Sequence, residues 1–238
     1  MLRLAIAPAQ WSELPDIDEV RPLNDSDTDC FASIREVLRN HGRLDRFGVA
    51  LLHSHFSLDP DEIMVECSDD ESRTLLNKPV RKDEANSSTI GTVWAFLHGQ
   101  TSPETGDQIT SQLTIGPVQW TKLRNTDDVQ PLNDSDTKCL AAIRDVLIAH
   151  GKLGRFGISL LLSHFSLSPD EIMLESSDDE KRTLVTKPVK GEDAECNKIG
   201  TIWALRDGDV STMAWCRQYC RRSEWNIYSH RNAHKKEK

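Results

Sequence analysis

The chain has 238 residues, 37% hydrophobic and 28% charged, with a net charge of −9. This composition belongs to a globular protein long enough to bury a core without staples. It excludes a membrane-spanning helix, because no run of about 18 apolar residues occurs, and the apolar run at residues 1–8 is too short for a secretory signal.

Asn24, Asp25, Ser26, Asp27 and Thr28 precede an apolar pattern at Cys30, Ile34, Val37, Leu38 and His41. Those offsets trace one helical face. Capping oxygens ahead of it and Gly42 behind it predict a helix over about 27–41. Residues 47–56 are apolar on both faces, which predicts a strand buried on both sides. Asp59-Pro60-Asp61 makes a turn, and residues 62–66 form the return strand. In that hairpin His55 would lie opposite Met64, and His53 opposite Glu66. A third strand is predicted at 73–80 and a fourth at 89–97.

The same series then begins again. Residues 8–99 align with 117–208 without a gap, and 55 of the 92 positions are identical. The expected organisation is a first repeat at 1–99, a linker at 100–116, a second repeat at 117–208, and an extension at 209–238. The extension should carry a helix around 212–222. The expected fold class is α+β: two tandem copies of a helix on a four-stranded antiparallel sheet. The copies would pack face to face as a pseudo-dimer, with a helical C-terminal extension.

Six cysteines do not make a disulfide scaffold. Cys30 and Cys139 read as small buried hydrophobes. Cys67 aligns with Ser176 and Cys196 with Ser87, so neither is half of a required bridge. A reducing, cytoplasmic setting follows as the expectation. Residues 216–238 carry seven Lys/Arg against two Glu, so the rest of the chain is strongly acidic. An acidic body argues against nucleic acid as the partner.

Four groups of residues are candidates for chemistry. His41, His55 and Glu66, with the copies His150, His164 and Glu175, combine two imidazoles and a carboxylate. That is the ligand set of open zinc or non-haem iron sites. The same His/Glu pairs suit acid–base catalysis. Their structural alternatives are helix capping, a hairpin ion pair with Arg73, and a satisfied core histidine. Arg46 and Arg155 are candidate anion anchors, with a surface ion pair as the alternative. Cys216, Cys220, His230 and His234 in the extension have the ligand types of a structural zinc site; the alternative is an amphipathic helix. Residues 25–36 imitate a calcium loop, but position six is Cys30 rather than glycine, and helix capping explains the acids better. The pairs Trp11/Trp120 and Trp94/Trp203 read as packing residues.

No P-loop, dinucleotide fingerprint, nucleophile elbow or His-Glu-x-x-His motif is present. The functional expectation is a small-molecule enzyme built on His55, His164, Glu66 and Glu175, with Arg46 and Arg155 binding substrate. A divalent metal such as zinc or iron is the candidate cofactor, and the reaction class is open among lyase, isomerase and hydrolase. The alternative is a non-catalytic module that binds a protein or a small ligand.

Overall fold

The computed structural model describes residues 3–6, 14–97, 112–123, 129–193, 197–207 and 214–221. Two helices are present among the described residues, α1 (Asp25–Asn40) and α2 (Asp134–Ala149). Each starts in a capping box. The Asn24 side chain accepts from the Asp27 amide and the Asp27 carboxylate accepts from the Asn24 amide, both at 3.1 Å. Asn133 and Asp136 repeat the arrangement. His41 and His150 are the C-caps, and Gly42 and Gly151 follow them in the left-handed region at φ 62° and 65°. The spacing of Cys30, Phe31, Ile34 and Leu38 buries one face of α1 almost completely.

Among the described residues there are eleven strands, of which all but the first fall into two equivalent runs of five. They are β1 (Arg3–Ile6), β2 (Phe47–Leu51), β3 (Glu62–Asp69), β4 (Thr74–Arg81), β5 (Thr89–Phe96) and β6 (Gln112–Lys122), then β7 (Phe156–Leu160), β8 (Glu171–Asp178), β9 (Thr183–Lys190), β10 (Lys198–Leu205) and β11 (Ala214–Arg221). They join in the order β1-β6-β3-β4-β9-β8-β11-β10-β2-β7-β5, and β5 pairs with β6 to close the ring.

This corrects the expected architecture. The molecule is a closed ten-stranded mixed barrel with two helices. It is not two α+β units packed face to face as a pseudo-dimer. The expected hairpin of β2 with β3 also does not form. β2 pairs with β7 and β10, both from the second copy. β3 pairs antiparallel with β4 and parallel with β6. β2 shows why the barrel wins. Its five residues are all buried, so both faces need cover. Phe47, Val49 and Leu51 pack in the core that holds the helices, while Ala50 joins Leu52, Val93, Ala95 and Val118 in a second cluster. Closing the sheet supplies an interior for the second face and removes the free edges that two separate sheets would leave.

The copies are related by an approximate twofold. Val49 pairs with its own sequence counterpart Ile158, and Leu76 pairs with its counterpart Val185. A residue facing its own equivalent is the signature of an isologous contact. Gly48 and Gly157 sit where strands crowd together. A Cβ on Gly48 would lie 2.5 Å from the Trp203 carbonyl oxygen, and one on Gly157 would lie 2.3 Å from that of Trp94.

β2 ends at Leu51, short of the expected 47–56. Beyond it the Ser54 amide donates to the Pro15 carbonyl and the Ile17 amide to the Ser54 carbonyl. His53 and His55 therefore stand on a non-strand segment laid against residues 14–17. The expected helix around 212–222 is also corrected, because β11 occupies it. β11 is the structural counterpart of the end of β6. Lys198–Arg221 and Thr89–Lys122 are equivalent register pairs. On that correspondence Gln218 stands for Gln119, Tyr219 for Trp120 and Cys220 for Thr121. No described helix is long and apolar enough to cross a membrane.

Candidate functional site

The barrel brings each histidine to the glutamate of the other copy. His55 Nε2 donates to Glu175 Oε1 at 3.1 Å, and His164 Nε2 lies 3.2 Å from Glu66 Oε1. Sequence reasoning named all four residues but paired them within a copy. The pairing crosses because β2 and β7 are exchanged between the copies, and each histidine follows its strand.

Both glutamates are held by the same kind of shell. Glu66 accepts from Gln119 Nε2 at 3.1 Å and from Thr121 Oγ1 at 3.2 Å. Glu175 accepts from Gln218 Nε2 at 3.1 Å, from Thr186 Oγ1 at 3.3 Å and from the Cys220 thiol at 2.8 Å. These partners satisfy buried carboxylate oxygens that would otherwise carry a large desolvation cost. In Glu175, burial pushes the carboxyl up, and His55, His53 and Cys220 outweigh it to hold the pKa at about 2. In His55, burial pulls down and the Glu175 carboxylate outweighs it, leaving the imidazole raised. The two directions agree on an ionised pair.

The sites then diverge. Beside Glu66 and His164 lies a cavity of about 330 Å³. Its lining comes from eight of the ten barrel strands, all but β2 and β9, so it is the barrel interior. Leu161, Phe165 and Met173 give it apolar wall; Gln119, Thr92 and Arg217 give it polar groups. His164 keeps 18% of its side-chain surface accessible, against 2% for His55. Arg217 donates to the Leu162 carbonyl and to Ser163 Oγ at 3.3 Å. Burial, then Arg206, draws its pKa down, and no carboxylate among the described residues pairs with it. Beside Glu175 and His55 the equivalent space is only about 40 Å³. There Val118 stands where the other side has Arg217, and His53 stands where it has Leu162.

That closed side holds a different cluster. His53, His55, Glu175 and Cys220 place their ligand atoms within 4.8 Å of one another. Burial, with His55 beside it, brings His53 down to about 4. Burial, then Glu175, pushes the Cys220 thiol well above its ordinary value. A thiol so protonated is no nucleophile on its own.

The other named residues lie elsewhere. His41 and His150 are helix caps, and His150 Nε2 sits 3.2 Å from Ser33 Oγ. Neither joins His55 or Glu66. Arg46 donates to the Gln130 carbonyl at 2.7 Å and pairs with Asp136 at 3.2 Å; Arg155 pairs with Asp27 at 3.0 Å. Both guanidiniums thus tie each copy to the buried capping aspartate of the other copy's helix. Arg73 pairs with Glu171 rather than with Glu66. Cys216 donates to the Gln218 carbonyl, and His230 and His234 fall outside the described residues. Sequence reasoning missed Arg217, Gln119 and Gln218, and it did not count His53 among the site residues. The signal for Gln218 was the Gln-aromatic pair shared with Gln119-Trp120, hidden because the connection before β11 is shorter than the one before β6.

No family model matches the chain, and neither a curated protein nor a solved structure does. Function rests on the site itself.

Proposed function

We propose that the protein is a small-molecule enzyme whose working site is the cavity beside His164 and Glu66. The observation that carries this reading is the contrast between two copies of one His–Glu pair. One faces a cavity of about 330 Å³ and the other is sealed. That volume lies at the lower end of the range for small-ligand sites.

In this reading Glu66 holds His164 through Nε2 and orients the ring, and His164 takes or gives a proton at its other ring nitrogen, Nδ1. Gln119 and Thr121 fix the Glu66 carboxylate in place. Arg217 replaces Arg46 and Arg155 as the anion anchor, since it is cationic, partly buried and unpaired by any described carboxylate. The substrate class is a compact molecule with one anionic group and an apolar body that fits against Leu161, Phe165 and Met173. The reaction remains proton transfer at a carbon or oxygen next to that group, with lyase, isomerase and hydrolase outcomes all compatible.

A panel of small carboxylates and phosphate esters, assayed for binding by calorimetry and for turnover, tests it. Arg217→Ala should weaken binding of the active ligand by about tenfold or more. His164→Ala should leave binding nearly intact and lower turnover by about 10²–10⁴. His55→Leu should leave turnover much less affected. Turnover unchanged in His164→Ala and Glu66→Gln would refute the catalytic reading. Binding that depends on Arg217 without any turnover would move the assignment to a ligand carrier, an alternative supported by the enclosed barrel interior.

A further inference from the structure

The sealed site has a composition of its own. His53 and His55 arrive on the segment after β2, Glu175 on β8 and Cys220 on β11. Three of the separations between their ligand atoms are 2.8 Å (Cys220 Sγ to Glu175 Oε1), 3.1 Å (His55 Nε2 to Glu175 Oε1) and 3.5 Å (Cys220 Sγ to His53 Nε2). Donors on a tetrahedral zinc, at about 2.0–2.3 Å from the metal, stand roughly 3.3–3.7 Å apart. Each of these three reaches that tetrahedral spacing with a shift of well under an ångström, and all four ligand atoms lie within 4.8 Å of one another. The geometry points to a mononuclear, zinc-type metal site formed by His53, His55, Glu175 and Cys220.

The surroundings are those of a ligand set. His53 Nδ1 lies 2.8 Å from the Leu51 carbonyl. A proton on Nδ1 satisfies that carbonyl and leaves the Nε2 lone pair facing Cys220. Glu175 Oε2 is held by Gln218 and Thr186, which leaves Oε1 turned to His55 and Cys220. Such outer contacts orient metal ligands and fix their tautomer. His55 lacks such an outer contact, its Nδ1 being buried without a hydrogen-bond partner. Charge also balances: a thiolate and a carboxylate with two neutral imidazoles cancel a divalent ion, so the loaded centre can stay buried without net charge. Nitrogen and sulfur donors favour zinc over magnesium or calcium.

Independent support comes from the sister site. Its His164 and Glu66 match His55 and Glu175, but Leu162 stands for His53 and Thr121 for Cys220. The two departures that complete a ligand set both fall on the sealed side. Four protein ligands leave no open position, which makes the site structural rather than catalytic. Its work is mechanical. β11 meets β8 through three parallel register pairs, and the metal would clamp Cys220 of β11 and Glu175 of β8 to the end of β2. The inference does not depend on the activity proposed for the open cavity, which lies at the other His–Glu pair.

The full-length protein, purified without chelators, should carry about one zinc per chain. X-ray absorption at the zinc edge should show one sulfur and three nitrogen or oxygen neighbours, the donors of this cluster. Replacing zinc by cobalt should give a thiolate charge-transfer band. Cys220→Thr should abolish that band, and His53→Leu with Cys220→Thr should bring metal content close to zero. Those substitutions copy the composition of the sister site, so the barrel tolerates the residues. His230→Ala with His234→Ala should leave the metal in place. A zinc shell with no sulfur or with several, or metal content and a cobalt band unchanged by Cys220→Thr, overturns the assignment. The shell measurement uses the native chain and stands even if a variant fails to fold. Chain purified metal-free that takes up neither zinc nor cobalt overturns it equally.

Discussion

Single residues do their work here across the twofold. Arg73 and Arg182 sit in the turns after β3 and β8 at φ 50° and 52°, a backbone region costly for any side chain but glycine's. Each then reaches the other copy, Arg73 to Glu171 and Arg182 to Glu62. Those ion pairs help offset the strain of the turns. Arg73, followed by the Ser168 amide, holds the Glu171 carboxyl at about 2, below its ordinary 4.5. Its contribution to stability is therefore complete above about pH 4.5 and is lost as pH falls towards about 2. Glu171→Gln should lower the urea midpoint near neutral pH, and the gap from the native chain should narrow steadily on acidification to about pH 3. A gap independent of pH would mean that the pair contributes nothing through its charge.

At the scale of elements, local chemistry was legible and pairing was not. Asn24 and Gly42 bracket α1 because caps act within a turn of the helix, and the bounds of β3, β4 and β5 lie within a few residues of those expected from alternation and turn signals. β11 was misjudged because Cys216 and Cys220 are four apart, a spacing that keeps two residues on one face of a helix and equally on one face of a strand. Burial of β2 on both faces was read correctly, yet nothing local names its neighbours. The site suffered the same fate. His55 and Glu175 were each visible, and their meeting depended on which strands cross. The capping boxes carry a further load that sequence did not show. Asp136 is fully buried, accepts from Arg43 at 2.6 Å and pairs with Arg46. Asp136→Asn leaves two guanidiniums facing a neutral group and weakens the cap. It should cost about 3 kcal/mol in denaturant unfolding, several times the cost of removing an exposed acid such as Asp145.

For the whole molecule, the decisive fact is that neither repeat owns a complete sheet. β2 finds both partners in the second copy, and β7 pairs with β2 and β5 of the first. The duplication is therefore visible in sequence as two domains but built as one barrel. Residues 1–123 expressed alone should fail to give a folded monomer. Whatever fraction folds should sediment as a dimer, with a second β2 in the place of β7. A stable, cooperatively unfolding monomer of that fragment would contradict the shared barrel.

The exchange of β2 also sets a timetable. The strand is synthesised early, but the backbone groups on its two edges wait for residues 156–160 and 202–204. Until then an apolar stretch from Phe47 to Leu51 has nowhere to go, and the ring cannot close before β10 and β11 have been made. Closing such distant contacts is slow because loop entropy must be overcome before any contact rewards it. The rate-limiting event in refolding is expected to be the arrival of β7 and β10 at β2, after the β3–β4 and β8–β9 hairpins have already formed. In the cell that waiting period is when this protein has most need of a chaperone.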